Sequence, residues 1–234
     1  MASKRARLDQ FLATKLQVPR KSVRFMLLEG RVSVNGVKVS AMDMQIDEFS
    51  RIECDGLTLQ HNEKCYLMLN KPVGVVSATK DDIHKTAVDL LHGIALEMLH
   101  IAGRLDLNSS GLLLITNDAR WSQALMSPNN KVTKKYLVSL ANPIDESYIK
   151  GFAEGMYFDY EGMTTQAAGL EILSSHQARV SLNEGKYHQI KRMFGRFRNP
   201  VIGLHREAIG ELLLDEALAP GEFRHLTPAE VALF

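Results

Sequence analysis

Leu112-Leu113-Leu114-Ile115 is a short apolar run, closed by Gly111 on one side and Asn117-Asp118 on the other. A run of this length between breakers predicts a buried strand. Further strand-like runs at 66–69, 136–140 and 179–182 alternate irregularly with helical patterns. That order predicts an α+β fold, a larger domain with a mixed, mainly antiparallel sheet flanked by helices, rather than a doubly wound parallel sheet. The chain has 234 residues, 45% apolar and 24% charged, enough for one large domain and a small one.

The small domain shows first in the charge. Residues 1–40 carry nine bases and two acids, a net of +7 in a chain whose total is +1, which leaves the remainder at −6. A basic head on a mildly acidic body fits a polyanion-binding module joined to a second domain. Within the head, Leu8, Phe11, Leu12 and Leu16 recur at helical spacing, as do Val23, Leu27 and Leu28 after Pro19. Arg31 to Val39 then alternates with period two around Asn35-Gly36, a strong hairpin signal. Arg5, Arg7, Arg20, Lys21, Arg24 and Arg31 flank the predicted helix pair instead of alternating with acids. The order RLDxFL, a basic second helix and EGRVSVNGVKV resembles the S-four type RNA-binding module, a small N-terminal α/β unit, which implies that these bases meet structured RNA. Residues 47–62, with Asp55-Gly56, are expected to be a strand-and-turn linker, and the boundary is set so that the module and linker span 1–62 and the larger domain 63–234.

Several chemistries lack their signatures. There is no GxxxxGK[ST], GxGxxG or GxSxG, the eight histidines form no HExxH, and the pair His84 and His92 has neither ligand spacing nor a cysteine nearby. Neither a metal nor a cofactor is expected. Cys54 and Cys65 are too sparse for a disulfide framework and are expected to be reduced. No apolar run approaches a membrane span and the first residues lack a signal-peptide core, which places the protein in the cytoplasm.

What remains must come from side chains. Asp106 stands in a polar loop, Gly103-Arg104-Leu105-Asp106-Leu107-Asn108-Ser109-Ser110, just before the 112–115 run. A loop anchored by a buried strand suits a reacting group, although Asp is also common in ordinary turns. Three further segments stand out. Tyr66 to Gly74 is a strand entering a turn stiffened by Pro72, read as a structural element. In Lys134-Lys135-Tyr136-Leu137-Val138-Ser139-Leu140, Tyr136 shares a strand face with Val138 and Leu140. From Glu184 to Phe194, Gly185 turns a strand into a helix whose buried stripe is Ile190, Met193, Phe194 and Phe197, with His188, Arg192 and Arg196 forming a basic face suited to phosphate. Thr227-Pro228-Ala229-Glu230 is a capping box opening a short last helix.

Together, GRLDxxxSGLLLxTND, KPxG, KKY and GxYHQIKRM in this order resemble the RsuA family of ribosomal RNA pseudouridine synthases, over nearly the whole chain. The resemblance implies that Asp106 is the catalytic aspartate, that Tyr136 stacks on the target uracil, that Lys191 is the cation beside Asp106, and that Arg104 displaces the base or holds phosphate. It implies breaking the N1–ribose bond of a uridine, turning the base and rejoining it through C5, with no cofactor. Asp106 must be ionised, and a cation with a helix dipole nearby favours the carboxylate. Stacking holds a turning base with roughly 1–3 kcal/mol, and extruding the nucleotide costs a few kcal/mol. Leu204 to Gly210 and Pro220 to Arg224 look more like the branch acting on small-subunit (16S) RNA than its large-subunit relatives. The partner is then ribosomal RNA or a pre-ribosomal small-subunit particle, with a monomeric enzyme and a mobile head. The alternatives are a uridine of large-subunit RNA, or a non-catalytic RNA-binding or ribosome-assembly protein.

Overall fold

The computed structural model describes residues 5–96, 98–159 and 162–234. Contacts divide the chain into two units, Met1–Lys64 with Asp118–Arg120, and Cys65–Asn117 with Trp121–Phe234.

In the first unit, Pro19 separates helices α1 (Leu8–Leu16) and α2 (Arg20–Leu28), supplying the extended residue that precedes α2. Leu8 and Leu12 from α1 and Val23 and Leu27 from α2 are buried against Val32, Val34 and Ile52. Strands β1 (Val32–Val34), β2 (Val37–Lys38), β3 (Ile52–Cys54) and β4 (Leu57–Gln60) form an antiparallel sheet in the order β2-β1-β3-β4. Both of its hairpins turn on a left-handed pair, Asn35-Gly36 with φ of 51° and 80°, and Asp55-Gly56 with φ of 51° and 79°. The second hairpin corrects the expectation of a linker over 47–62. That stretch is half of the module's own sheet, because Ile52 and Cys54 bring buried side chains to its core. A two-stranded ribbon pairs Ala6–Arg7 with Gln45–Ile46.

The second unit is built on a nine-stranded sheet among the described residues. Its strands are β5 (Tyr66–Lys71), β6 (His100–Ala102), β7 (Ser110–Thr116), β8 (Lys134–Leu140), β9 (Gly169–Ser174), β10 (Gln177–Leu182), β11 (Val201–Ile209), β12 (Leu212–Leu213) and β13 (Phe223–His225). The order is β9-β10-β8-β11-β7-β5-β13, with β6 on β7 and β12 on β11. The apolar run of β7 follows from burial on both faces. Leu113 and Ile115 pack with Leu67, Leu69 and Leu105 on one side, while Leu112 and Leu114 pack with Met68 and with Trp121 and Leu125 of helix α3 (Ala119–Met126) on the other. Helices α4 (Ser147–Glu154) and α5 (Gln189–Arg196) bury Tyr148, Phe152, Met193 and Phe194 against Val138, Leu140 and Val180.

Among the described strands, β7 and β11 form the one parallel ladder, pairing Arg206 with Gly111. Gly111 is required there. Its φ is +104°, and a Cβ would stand 2.4 Å from the Arg206 carbonyl oxygen. The chain ends in α6 (Pro228–Val231), where the Thr227 and Glu230 side chains form the reciprocal capping box. No helix among the described residues is long and apolar enough to cross a membrane. Cys54 and Cys65 are both free.

Candidate active site

The loop between β6 and β7 is tied down residue by residue. The Ser77 hydroxyl accepts from the Leu105 N–H at 3.0 Å and donates to the Leu105 carbonyl at 2.8 Å. The Ser109 N–H closes a turn onto the Asp106 carbonyl at 3.0 Å, and the Gly74 N–H reaches the Leu107 carbonyl at 2.9 Å. Two buried cations clamp the flanks. Lys71 Nζ, with no solvent exposure, donates to the Ser109 carbonyl at 2.7 Å and the Pro72 carbonyl at 2.9 Å. Arg206, also buried, donates to the carbonyls of Gly103, Arg104 and Leu112 at 3.2, 3.3 and 2.8 Å. A side chain on such a loop is held by its backbone rather than by its own packing.

The Asp106 carboxylate keeps 33% of its surface open, and two potential cations approach the same oxygen. His188 Nε2 lies 3.4 Å and Lys191 Nζ 3.6 Å from Oδ2. Both come from the start of α5, where Lys191 is in the first helical turn and His188 precedes it in a left-handed conformation. The helix N-terminus adds partial positive charge on that side. Asp106, Arg104, Ser109, Tyr136, Tyr187 and His188 line a cleft of about 290 Å³. Tyr136 is half-buried, packed between the cores on either side of β8, with part of its ring left for the cleft. The Ser109 hydroxyl, almost fully buried at the cleft wall, has no hydrogen-bond partner among the described residues. Lys191 lines the neighbouring hollow rather than the cleft itself.

Asp106, Tyr136, Arg104 and His188 thus meet around one cleft, with Lys191 behind the carboxylate. Arg192 and Arg196 do not join them. The Arg192 guanidinium sits 3.8 Å above the Phe158 ring, and Arg196 donates to the Tyr157 carbonyl and to Asp159 at 2.8 Å. The basic face drawn through His188, Arg192 and Arg196 is therefore split. α5 begins at Gln189, and the left-handed φ of 48° at His188 takes its side chain out of the helical spacing.

In the first unit, the six expected RNA-binding bases also divide. Arg7 donates to both oxygens of buried Asp9 at 3.2 and 3.1 Å, and Arg20 donates to one of them. The Arg7 hydrogen bonds, then those of Arg20, hold the Asp9 carboxyl down to about 2 despite its burial. Arg31 pairs with Asp55 at 2.8 and 2.6 Å and with Glu29 at 3.2 Å. Arg5, Lys21 and Arg24 are exposed with no carboxylate partner among the described residues. No cluster of three or more His, Cys, Asp or Glu able to hold a metal occurs among the described residues.

Lys71, Ser109 and Arg206 were not singled out from the sequence for any role in the site. Lys71 closes an apolar strand just before proline, but its burial comes from packing over the strand face, which the local sequence does not show. β5 is paired on both edges, by β7 and β13. Burial pulls the Lys71 ammonium down to about 8 and the Arg206 charge adds to this, while Asp106 acts in the opposite direction.

The family model described as RNA pseudouridylate synthase matches residues 65–195. The chain is 42% identical to the ribosomal small subunit pseudouridine synthase A of Pseudomonas aeruginosa, over 96% of this chain and 98% of that relative. It is 40% identical to the protein of the same name from Escherichia coli, over 97% and 98%. A solved structure described as a pseudouridylate synthase superposes with a TM-score of 0.71 at 38% identity, covering 97% of this chain and 99% of that one.

Proposed function

We propose, from the premise that this chain belongs to the RNA pseudouridylate synthase family, that it isomerises one uridine of small-subunit ribosomal RNA to pseudouridine with Asp106 as the reacting carboxylate. The observation that carries the reading is the meeting of Asp106 and Tyr136 at one cleft, with His188 and Lys191 on the carboxylate. An extruded uridine places its ribose against Asp106 Oδ and its base against the Tyr136 ring. The carboxylate then either attacks the sugar or takes a proton from it, with Lys191 Nζ 3.6 Å from its Oδ2. The freed uracil turns on the tyrosine face, where stacking is tolerant of in-plane orientation, and rejoins through C5. The product has the same mass and oxidation state as the substrate, so these side chains suffice without a cofactor. Arg104 at the cleft mouth holds the RNA backbone or occupies the space that the base leaves.

The names of the relatives support the small-subunit target; on this reading the partner is ribosomal RNA or a pre-ribosomal small-subunit particle in the cytoplasm, met by a monomer. In the first unit, Arg5, Lys21 and Arg24 carry the unneutralised charge for phosphate. Conversion of a small-subunit RNA fragment by purified protein tests the assignment. Asp106→Asn is expected to abolish conversion, by at least about a thousandfold, while the RNA Kd stays within about threefold. An Asn variant with parental turnover would remove Asp106 from its role.

A further inference from the structure

A second cavity of about 570 Å³ backs onto the Asp106 cleft, sharing Arg104, Tyr136, Gly185 and Lys186 as a common wall. Its volume is within the range of small-ligand sites. One side is apolar, made by Ile101, Leu125, Met126, Pro128 and Ile209. The other is cationic. Lys134 stands two residues before Tyr136 on β8 and so shares its face of the strand. Its side chain is half-buried, has no carboxylate partner among the described residues, and shares the lining with Arg206; burial, and then the Arg206 charge, disfavour the protonated form. Arg206 carries the same charge and cannot relieve this; its guanidinium is held on the carbonyls of Gly103, Arg104 and Leu112. The acid in the lining, Glu184, is turned to the Gln166 N–H and the Gln189 amide at 2.9 and 2.7 Å. The cavity's one carboxylate is thus bonded away from Lys134, and a half-buried lysine that shares a lining with a second cation and pairs with no carboxylate among the described residues suits an anion arriving from outside.

We propose that this cavity is a nucleotide subsite, in which Lys134, flanked by Lys186 and Arg104, takes the phosphate next to the target uridine while the apolar wall receives the neighbouring ribose and base. The proposal rests on the reading of the chain as an RNA pseudouridine synthase and adds a second point of grip on the same strand. Held there, the flanking nucleotide anchors the extruded uridine on the far side of Tyr136. The site therefore acts in binding and leaves the chemical step alone.

The test compares Lys134→Met, Lys134→Arg and Lys186→Met with the parent, measuring conversion of a small-subunit RNA fragment and its Kd across a KCl series. Lys134→Met is expected to raise KM and Kd about tenfold, to keep kcat at saturating RNA within about twofold, and to reduce the slope of log Kd against log salt by about one. Lys134→Arg restores most of the affinity. Lys186→Met, at an exposed position that does not threaten folding, shifts Kd the same way by a smaller factor. An unchanged Kd and salt slope in Lys134→Met would overturn the proposal. So would a fall in kcat at unchanged KM, the mark of a residue that only shapes the Asp106 loop. If the parent protein itself converted no uridine, the functional reading would fail separately, since the Kd series still reports on the subsite.

Discussion

Lys71 shows how a single buried charge ties the scaffold to the site. It cannot reach solvent, and it spends its ammonium hydrogens on the Ser109 carbonyl, at the end of the Asp106 turn, and on the carbonyl of its own neighbour Pro72. Burial holds its folded pKa at about 8, below the ordinary value of about 10.4. Between those values the folded form binds fewer protons than the unfolded one, so this group makes stability rise with pH across that window and costs most below it. The stability of the parent relative to Lys71→Met, from urea midpoints, is therefore expected to increase from near pH 7.5 to near pH 9.5. A constant difference would mean that the lysine titrates normally. The same variant releases the Asp106 turn and is expected to lose at least about tenfold in kcat, about 1.4 kcal/mol, with the RNA Kd little changed. Ser109→Ala removes a hydroxyl that has no hydrogen-bond partner among the described residues, so its stability should hold within about 0.5 kcal/mol. If KM or kcat moves as well, the hydroxyl meets the substrate.

At the scale of elements, the sequence was legible wherever a local rule was enforced by burial. The 112–115 run, the Tyr136–Val138–Leu140 alternation, the Asn35-Gly36 turn and the Thr227 capping box all emerge as elements with the expected character. Two signals misled for a common reason, that local chemistry does not reveal where an element's partners are. Asp55-Gly56 has the composition of a linker turn but closes a core hairpin, and His188 has helical spacing to Arg192 but lies outside the helix. Asp106 itself was visible through its long motif, whereas the carbonyl clamps of Lys71 and Arg206 arise from strands distant in sequence and leave no local trace. The junction of β7 and β11 gives an element-scale prediction. Gly111→Ala forces a Cβ into the Arg206 backbone at a left-handed φ and should cost about 3 kcal/mol or more, read as a lowered urea midpoint. A loss below about 0.5 kcal/mol would mean that the two strands can separate without penalty.

Across the whole molecule, two units answer to different physics. The first concentrates positive charge on a small module and secures its opening helix with the buried Asp9 between Arg7 and Arg20. Asp9 is held at about 2 against an unfolded value of about 3.9, so its contribution is complete above about pH 4 and is lost as pH falls through about 2. The hydrogen-exchange protection factors of first-unit core amides such as Leu12 and Val23 should fall over that interval in the parent, and should be low already near pH 6 in Asp9→Asn. The second unit presents one oxygen of Asp106 to a cleft between Tyr136 and the start of α5, and the functional account stands on that arrangement. Its most direct test is to map pseudouridine in the ribosomal RNA of cells carrying either the parent or Asp106→Asn as their sole copy. The account predicts that one small-subunit uridine is modified with the parent and unmodified with the variant, all other sites being equal. A small-subunit map identical in the two strains, or a lost site in the large-subunit RNA instead, would contradict it.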